Sequence, residues 1–174
     1  MEIRKATKAD LDAVENSYRE LLQNINPEEN YSGWILDVYP NRKWAEENLE
    51  DLWVLMEGET LGASMILNHS QPEDYKSIPW EIPAAPEQVA VIHTLCVPPS
   101  QAGKGYGKTM VRFAIDESRR QSMTAMRLDT AKGNKPATKL YTGCGFVFRG
   151  ARQVLHQGVI PEELIFFELG LSNS

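Results

Sequence analysis

Apolar and polar positions change their period several times along the chain, and each change predicts an element. Glu2 to Ala6 alternates as a short strand does, and Thr7 to Asp10 reads as a helix start, with Thr7 capping amides and Asp10 at the positive end of the dipole. Leu11, Val14, Tyr18, Leu21 and Leu22 then recur at helical spacing, which predicts a helix to about Gln23 with one stripe turned to a core. Asn24 to Pro40 is broken by Asn, Pro and Gly and is expected to be irregular, followed by a short helix over Arg42 to Leu49. Leu52 to Glu57 and Leu61 to Asn68 are apolar runs separated by Gly58, Glu59 and Thr60, a hairpin signal. Prolines at 72, 79, 83 and 86 make His69 to Glu87 a stiff loop. The run Gln88 to Val97 reads as a buried strand, and Tyr106 to Arg120 as a helix that buries Met110, Val111, Ala114 and Ile115. A strand over Ala125 to Thr130, a helix over Lys135 to Thr142 and strands over Phe146 to Val154 and Leu164 to Leu169 complete the pattern.

Composition narrows the class. With 174 residues, 42% apolar and 24% charged, the chain is that of an ordinary globular protein, and a single domain over 1–174 is expected. The start lacks the basic and apolar regions of a signal peptide and no run reaches membrane-spanning length, so a cytoplasmic protein without a membrane partner is expected. A formal charge of -6 argues against nucleic acid as a partner. Cys96 and Cys144 are too few for a disulfide framework and lack metal-ligand spacing, so both are read as reduced thiols and no metal is expected.

The chemistry concentrates in Ala102 to Thr109, AGKGYGKT, between the buried strand and an amphipathic helix. Gly103, Gly105 and Gly107 remove side chains where backbone amides can approach a ligand. The helix start adds unpaired amides and a positive dipole end, a setting for phosphate or pyrophosphate, and Lys104 and Lys108 add charge. GKT at Gly107 to Thr109 also matches the end of a P-loop, but that motif's first glycine would fall on Ala102.

The segment VIHTLCVPPSQAGKGYGKTMV, together with the downstream NKPATKLYTGCGF, resembles the GNAT superfamily of acyl-CoA N-acyltransferases. The resemblance implies an α/β fold: a mixed, mainly antiparallel central sheet flanked by helices and splayed at the cofactor strand. It implies acetyl-CoA as co-substrate. The backbone of Leu95, Cys96 and Val97 would pair with the pantetheine arm, and Ala102, Gly103, Lys104, Gly105, Tyr106, Gly107 and Lys108 would form the pyrophosphate loop. Asn134 would contact pantetheine or simply cap its helix. The family usually has Arg or Gln where Ala102 stands, with Gln101 one position earlier. Members often dimerise through late strands, and the apolar run Leu164 to Phe167 permits a homodimer.

Acetyl transfer to an amine sets its own requirements. An amine with pKa of roughly 10.4 loses its proton at neutral pH at a cost of about 4 to 5 kcal/mol, so a base or water path helps. The departing thiol, with pKa of roughly 8.5, leaves more readily with a proton donor. Tyr141 occupies the family's tyrosine position and is the expected acid. His93 is the first candidate base, since strand alternation places it on one face with Leu95 and Val97; Glu87 is the second. A covalent route through Cys96 or Cys144 is disfavoured, because neither has an adjacent base. The acceptor, a small-molecule or peptide amine, would meet Tyr31, Trp34, Tyr39, Trp44, Tyr75 and Trp80, with Glu73, Asp74, Glu81 and Glu87 attracting its charge. A non-catalytic acyl-CoA-binding module and a nucleotide binder are the alternatives.

Overall fold

The computed structural model describes residues 1–26, 33–156 and 160–171. They group into two compact units, and the chain passes between them more than once. The first unit takes the N-terminal stretch with Trp34–Leu67 and His93–Met110; the second takes Asn68–Ile92 and the chain from Val111 onward.

In the first unit, β1 (Glu2–Lys5), β2 (Leu52–Glu57) and β3 (Thr60–Asn68) run antiparallel in that order. Glu57 pairs with Thr60, so the hairpin closes on Gly58 and Glu59, with Gly58 at φ 60°. Helix α1 (Leu11–Asn24) buries Leu11, Val14 and Tyr18 with Leu52, Val54 and Ile66, as its spacing predicts. At its start the Asp10 carboxylate accepts from the Thr7 amide at 2.7 Å and from the Thr7 hydroxyl at 3.2 Å. Helix α2 (Arg42–Glu47) is shorter than predicted, because the chain tightens into a 3-10 turn at Leu49–Asp51. Arg42 binds Asp12 and Glu15 of α1.

The strand β4 (Val89–Cys96) contributes its first half to the second unit and its second half, from His93, to the first. Helix α3 (Tyr106–Arg120) is likewise divided after Met110. In the second unit β4 pairs in parallel with β5 (Ala125–Ala131), and β5 pairs antiparallel with β7 (Ile160–Gly170), which pairs antiparallel with β6 (Val147–His156). The β4–β5 register is three pairs long, Val89↔Ala125 to Val91↔Arg127, although both strands continue. Helix α4 (Lys135–Gly143) joins β5 to β6. The fold is therefore the expected mixed, mainly antiparallel sheet with flanking helices. Strand β7 starts four residues before the predicted Leu164, because β6 supplies partners as far as His156↔Ile160. Among the described residues no helix is long and apolar enough to cross a membrane.

Candidate functional site

The glycine-rich turn is shaped for backbone contact. Pro98 and Pro99 set a 3-10 turn over Pro99–Gln101, and Gly103 and Gly105 follow at φ 80° and 76° with nothing within 4 Å of where a Cβ would stand. The first bond of α3 runs from the Thr109 amide to the Gly105 carbonyl, 3.0 Å, so the amides of Tyr106, Gly107 and Lys108 precede the helical ladder. An open, glycine-lined turn ending in such amides fits a pyrophosphate. Glu20 of α1 holds the turn from behind, accepting from the Ser100 amide at 2.6 Å and hydroxyl at 3.1 Å. Tyr106 gives the site only its amide, since its ring is buried over Gly62. Lys104 and Lys108 are exposed; Lys104 donates to Gln101 Oε1 at 2.8 Å, which turns Gln101 toward that lysine rather than toward the place beside Ala102.

Upstream on β4 the alternation predicted for His93, Leu95 and Val97 is interrupted. Thr94 has φ 46°, a conformation that a β-branched residue adopts only under constraint, and His93, Thr94 and Leu95 are all half-buried. The Trp44 indole donates to Thr94 Oγ1 at 3.2 Å, and buried Tyr18 comes up against Thr94. Cys96 is buried, with its thiol pushed up to about 12 chiefly by loss of hydration. A thiol so weakly acidic is a poor nucleophile at neutral pH. Cys144 is half-buried, and both thiols are free.

In the second unit Tyr141 lies on α4, 7% exposed, with its ring edge-on to Phe146 at 5.9 Å and tilted on Phe167 at 6.3 Å. Burial, then the charge of Asp129, raises its phenol well above the usual value, so it keeps its proton. Asn134 caps α4, its Oδ1 accepting from the Ala137 amide at 3.2 Å. Glu87 is exposed on the 3-10 turn Pro86–Gln88 that leads into β4. Asp129 accepts from the Tyr75 hydroxyl at 2.6 Å. The half-buried Glu162 carboxyl is pushed up to about 7, by burial first and Asp129 second.

The aromatic residues expected to line an acceptor separate by unit. Tyr31 lies outside the described residues. In the first unit Trp34 meets Tyr18 edge-on at 6.4 Å, and Tyr39 meets Trp44 at 5.2 Å. In the second, Tyr75 is 2% exposed and packs with Phe166 in the core, and half-buried Trp80 packs against both. Glu73, Asp74 and Glu87 of the same loop are exposed. Three features went unnoticed in the sequence: the strain at Thr94, the place Gly62 leaves for Tyr106, and a buried Glu168 with two arginines. A glycine inside an otherwise apolar strand was the signal available for Gly62.

A glycine turn followed by helix-start amides outside the helical ladder has the chemistry to receive an anion. The chain belongs to the acetyltransferase (GNAT) family, whose model matches residues 13–146. It is 33% identical over 75 residues to streptothricin acetyltransferase of Streptomyces lavendulae, spanning 43% of this chain and 40% of that protein. It is 32% identical over 71 residues to streptothricin acetyltransferase of Escherichia coli, spanning 41% and 37%. The chain thus matches well under half the length of these curated relatives. Its fold is that of a GNAT-family acetyltransferase from Streptococcus agalactiae, with a TM-score of 0.81, 18% identity and 99% and 96% of the two chains covered. It is also that of yncA from Salmonella typhimurium, solved with its cofactor acetyl-CoA, with a TM-score of 0.72, 20% identity and 100% and 95% covered.

Proposed function

We propose that this chain, acting as one domain over 1–174, transfers the acetyl group of acetyl-CoA to a primary amine by direct attack in a ternary complex. The observation that carries the reading is the turn Gly103–Lys108: two left-handed glycines open to their surroundings and three helix-start amides, in a chain of the acetyltransferase family. These amides would hold the pyrophosphate, and the backbone of Leu95, Cys96 and Val97 the pantetheine arm. The bound co-substrate supplies the acetyl thioester. Tyr141, kept protonated by burial, donates to the departing sulfur; His93, or failing it Glu87, takes the amine's proton, directly or through water. Asn134 orders the start of α4. A thiol as weakly acidic as Cys96 supports direct attack over an acyl-cysteine route.

The acceptor is a small-molecule or peptide amine, and the exposed carboxylates Glu73, Asp74 and Glu87 favour a cationic one. The similarity to the two streptothricin acetyltransferases makes streptothricin the first acceptor to try. We place the reaction in the cytoplasm, where free Cys96 and Cys144 stay reduced. The test has two parts. Acetyl-CoA, and not ATP with magnesium, should raise the thermal midpoint. A panel of lysine, spermidine, an alanyl-terminated peptide and streptothricin should then return an acetylated amine with release of free thiol. Stabilisation by acetyl-CoA without any product would support a non-catalytic binding module instead, and stabilisation by ATP alone a nucleotide binder.

A further inference from the structure

Among the described residues, three that are not glycine hold a positive φ: Asp37 at 60°, Ser122 at 60° and Thr94 at 46°. Asp37 and Ser122 are exposed residues of turns. Thr94 is different, for it is half-buried inside the strand β4, and its branched Cβ makes the left-handed region costly. Such a conformation persists only where the surroundings fix it.

A contact within the first unit reaches Thr94 directly: Trp44 Nε1 donates to its Oγ1 at 3.2 Å. The donor is itself well set. Asn41 Oδ1 accepts from the Trp44 amide at 2.9 Å at the start of α2, and the Trp44 carbonyl accepts from Asn48 Nδ2 at 2.9 Å. The indole stands edge-on to Tyr39 at 5.2 Å and packs against the buried cluster that contains Tyr18, Ala45 and Cys96. An indole has one donor and no acceptor, so a single bond uses all of its hydrogen-bonding capacity. Here that bond is made to a strand 50 positions along the chain.

The consequence falls on the neighbours of Thr94. In an extended strand the side chains at 93 and 95 share a face, and the amides of successive residues face alternate edges. A left-handed residue between them turns the peptide planes that follow, much as a bulge re-aims the groups beside it. It therefore sets where His93 points and which edge receives the amides and carbonyls of Leu95, Cys96 and Val97. We infer that Trp44 is a positioning residue: by bonding Thr94 Oγ1 it holds β4 in the left-handed kink that presents His93 and the Leu95–Val97 backbone to acetyl-CoA. The inference rests on those groups meeting the co-substrate as proposed above.

Three variants separate the bond from the packing. Thr94→Val keeps the branched shape and removes the acceptor, Thr94→Ser keeps the acceptor and drops the methyl, and Trp44→Phe keeps a ring and removes the donor. Each is titrated calorimetrically with acetyl-CoA, and the three-bond amide–Hα coupling at position 94 is measured by NMR, since it is large for an extended residue and distinctly smaller at a φ of 46°. Trp44→Phe and Thr94→Val should each raise the dissociation constant about tenfold and move the coupling toward its extended value. The double variant should bind little worse than either single one, because both remove one contact, and Thr94→Ser should bind within about twofold of the parent. Unchanged affinity or unchanged coupling in Trp44→Phe, losses that multiply in the double variant, or equal losses in Thr94→Ser and Thr94→Val would overturn the inference. If Trp44→Phe does not fold, the Trp44 indole proton decides: it should exchange faster with water in Thr94→Val and as in the parent in Thr94→Ser, and equal exchange in the two would remove the bond. If the parent binds no acetyl-CoA, the co-substrate reading fails by itself, and the coupling at position 94 in Trp44→Phe still decides whether Trp44 holds the kink.

Discussion

The turn Gly103–Lys108 and the loop Gln71–Ile82 are both irregular, and they are held by opposite means. The turn is shaped mainly by its own residues, left-handed glycines, a 3-10 turn imposed by prolines and the start of α3, with Glu20 of α1 bonding Ser100 at its base. The loop is shaped by residues far away in sequence, since Glu168 accepts from the amides of Glu81 and Ile82, 87 and 86 positions away, and Arg127 bonds Gln71 from 56 away. A segment that must present its backbone to an anion is best built from small residues with little around them. A segment that must hold a side chain in place is best built on a buried, saturated polar network.

The contrast can be broken most severely in the loop. Arg127→Met should leave Glu168 short of one buried partner and destabilise the fold by about 3 to 5 kcal/mol, read from urea denaturation; a loss below about 1 kcal/mol would show the network to be dispensable for stability.

Tyr141 combines both origins, since its place came from a motif and its protonation from burial in tertiary structure. Tyr141→Phe preserves the ring packing, so kcat should fall about 100-fold with the urea midpoint nearly unchanged. An unaltered kcat would remove Tyr141 from the mechanism.

A short-range charge pair sharpens the comparison. Arg4 holds Asp10 through two bonds of 2.8 and 2.9 Å, and with the Thr7 amide lowers its carboxyl from 3.8 to about 2. A folded pKa below the unfolded one means that this pair stabilises the protein above about pH 4, and that the gain disappears as pH falls through 2. With Arg4 partly exposed, the contribution at pH 7 should be about 1 to 2 kcal/mol, seen as the stability difference from Asp10→Asn, and it should vanish near pH 2. A difference independent of pH would assign it to packing.

The turn tests the other side of the comparison. Gly105→Ala meets no atom, and only its φ of 76° opposes it, by about 1 to 2 kcal/mol. The dissociation constant for acetyl-CoA should rise about tenfold, by calorimetric titration. Unchanged affinity would mean that the turn does not hold the co-substrate.

Much of this was legible before any coordinates. The spacing of Leu11, Val14 and Tyr18 marked α1, Tyr106 to Arg120 marked α3 to the residue, and Gly58 marked the hairpin, because period and turn chemistry are local. Thr94 was not legible: nothing in VIHTLCV distinguishes a left-handed threonine from an extended one, or shows that its hydroxyl accepts from the distant Trp44 indole. Gly62 stood in an apolar strand without saying which ring it admits. Tyr75, expected in the wall of an acceptor site, is a core residue and Trp80 a half-buried ring packed against it, because β5 and β7 bring Phe166 beneath them.

By itself the sequence determined the order and type of most elements, the glycine-rich turn before α3 and the kinship with the acetyltransferase family, all of which depend on neighbours within a few turns of chain. Tertiary structure alone decided which charges are buried, which tyrosine keeps its proton and which loop is held in one shape. Burial and long-range pairing are properties of what surrounds a residue once the chain has folded, and a pattern of near neighbours does not contain them.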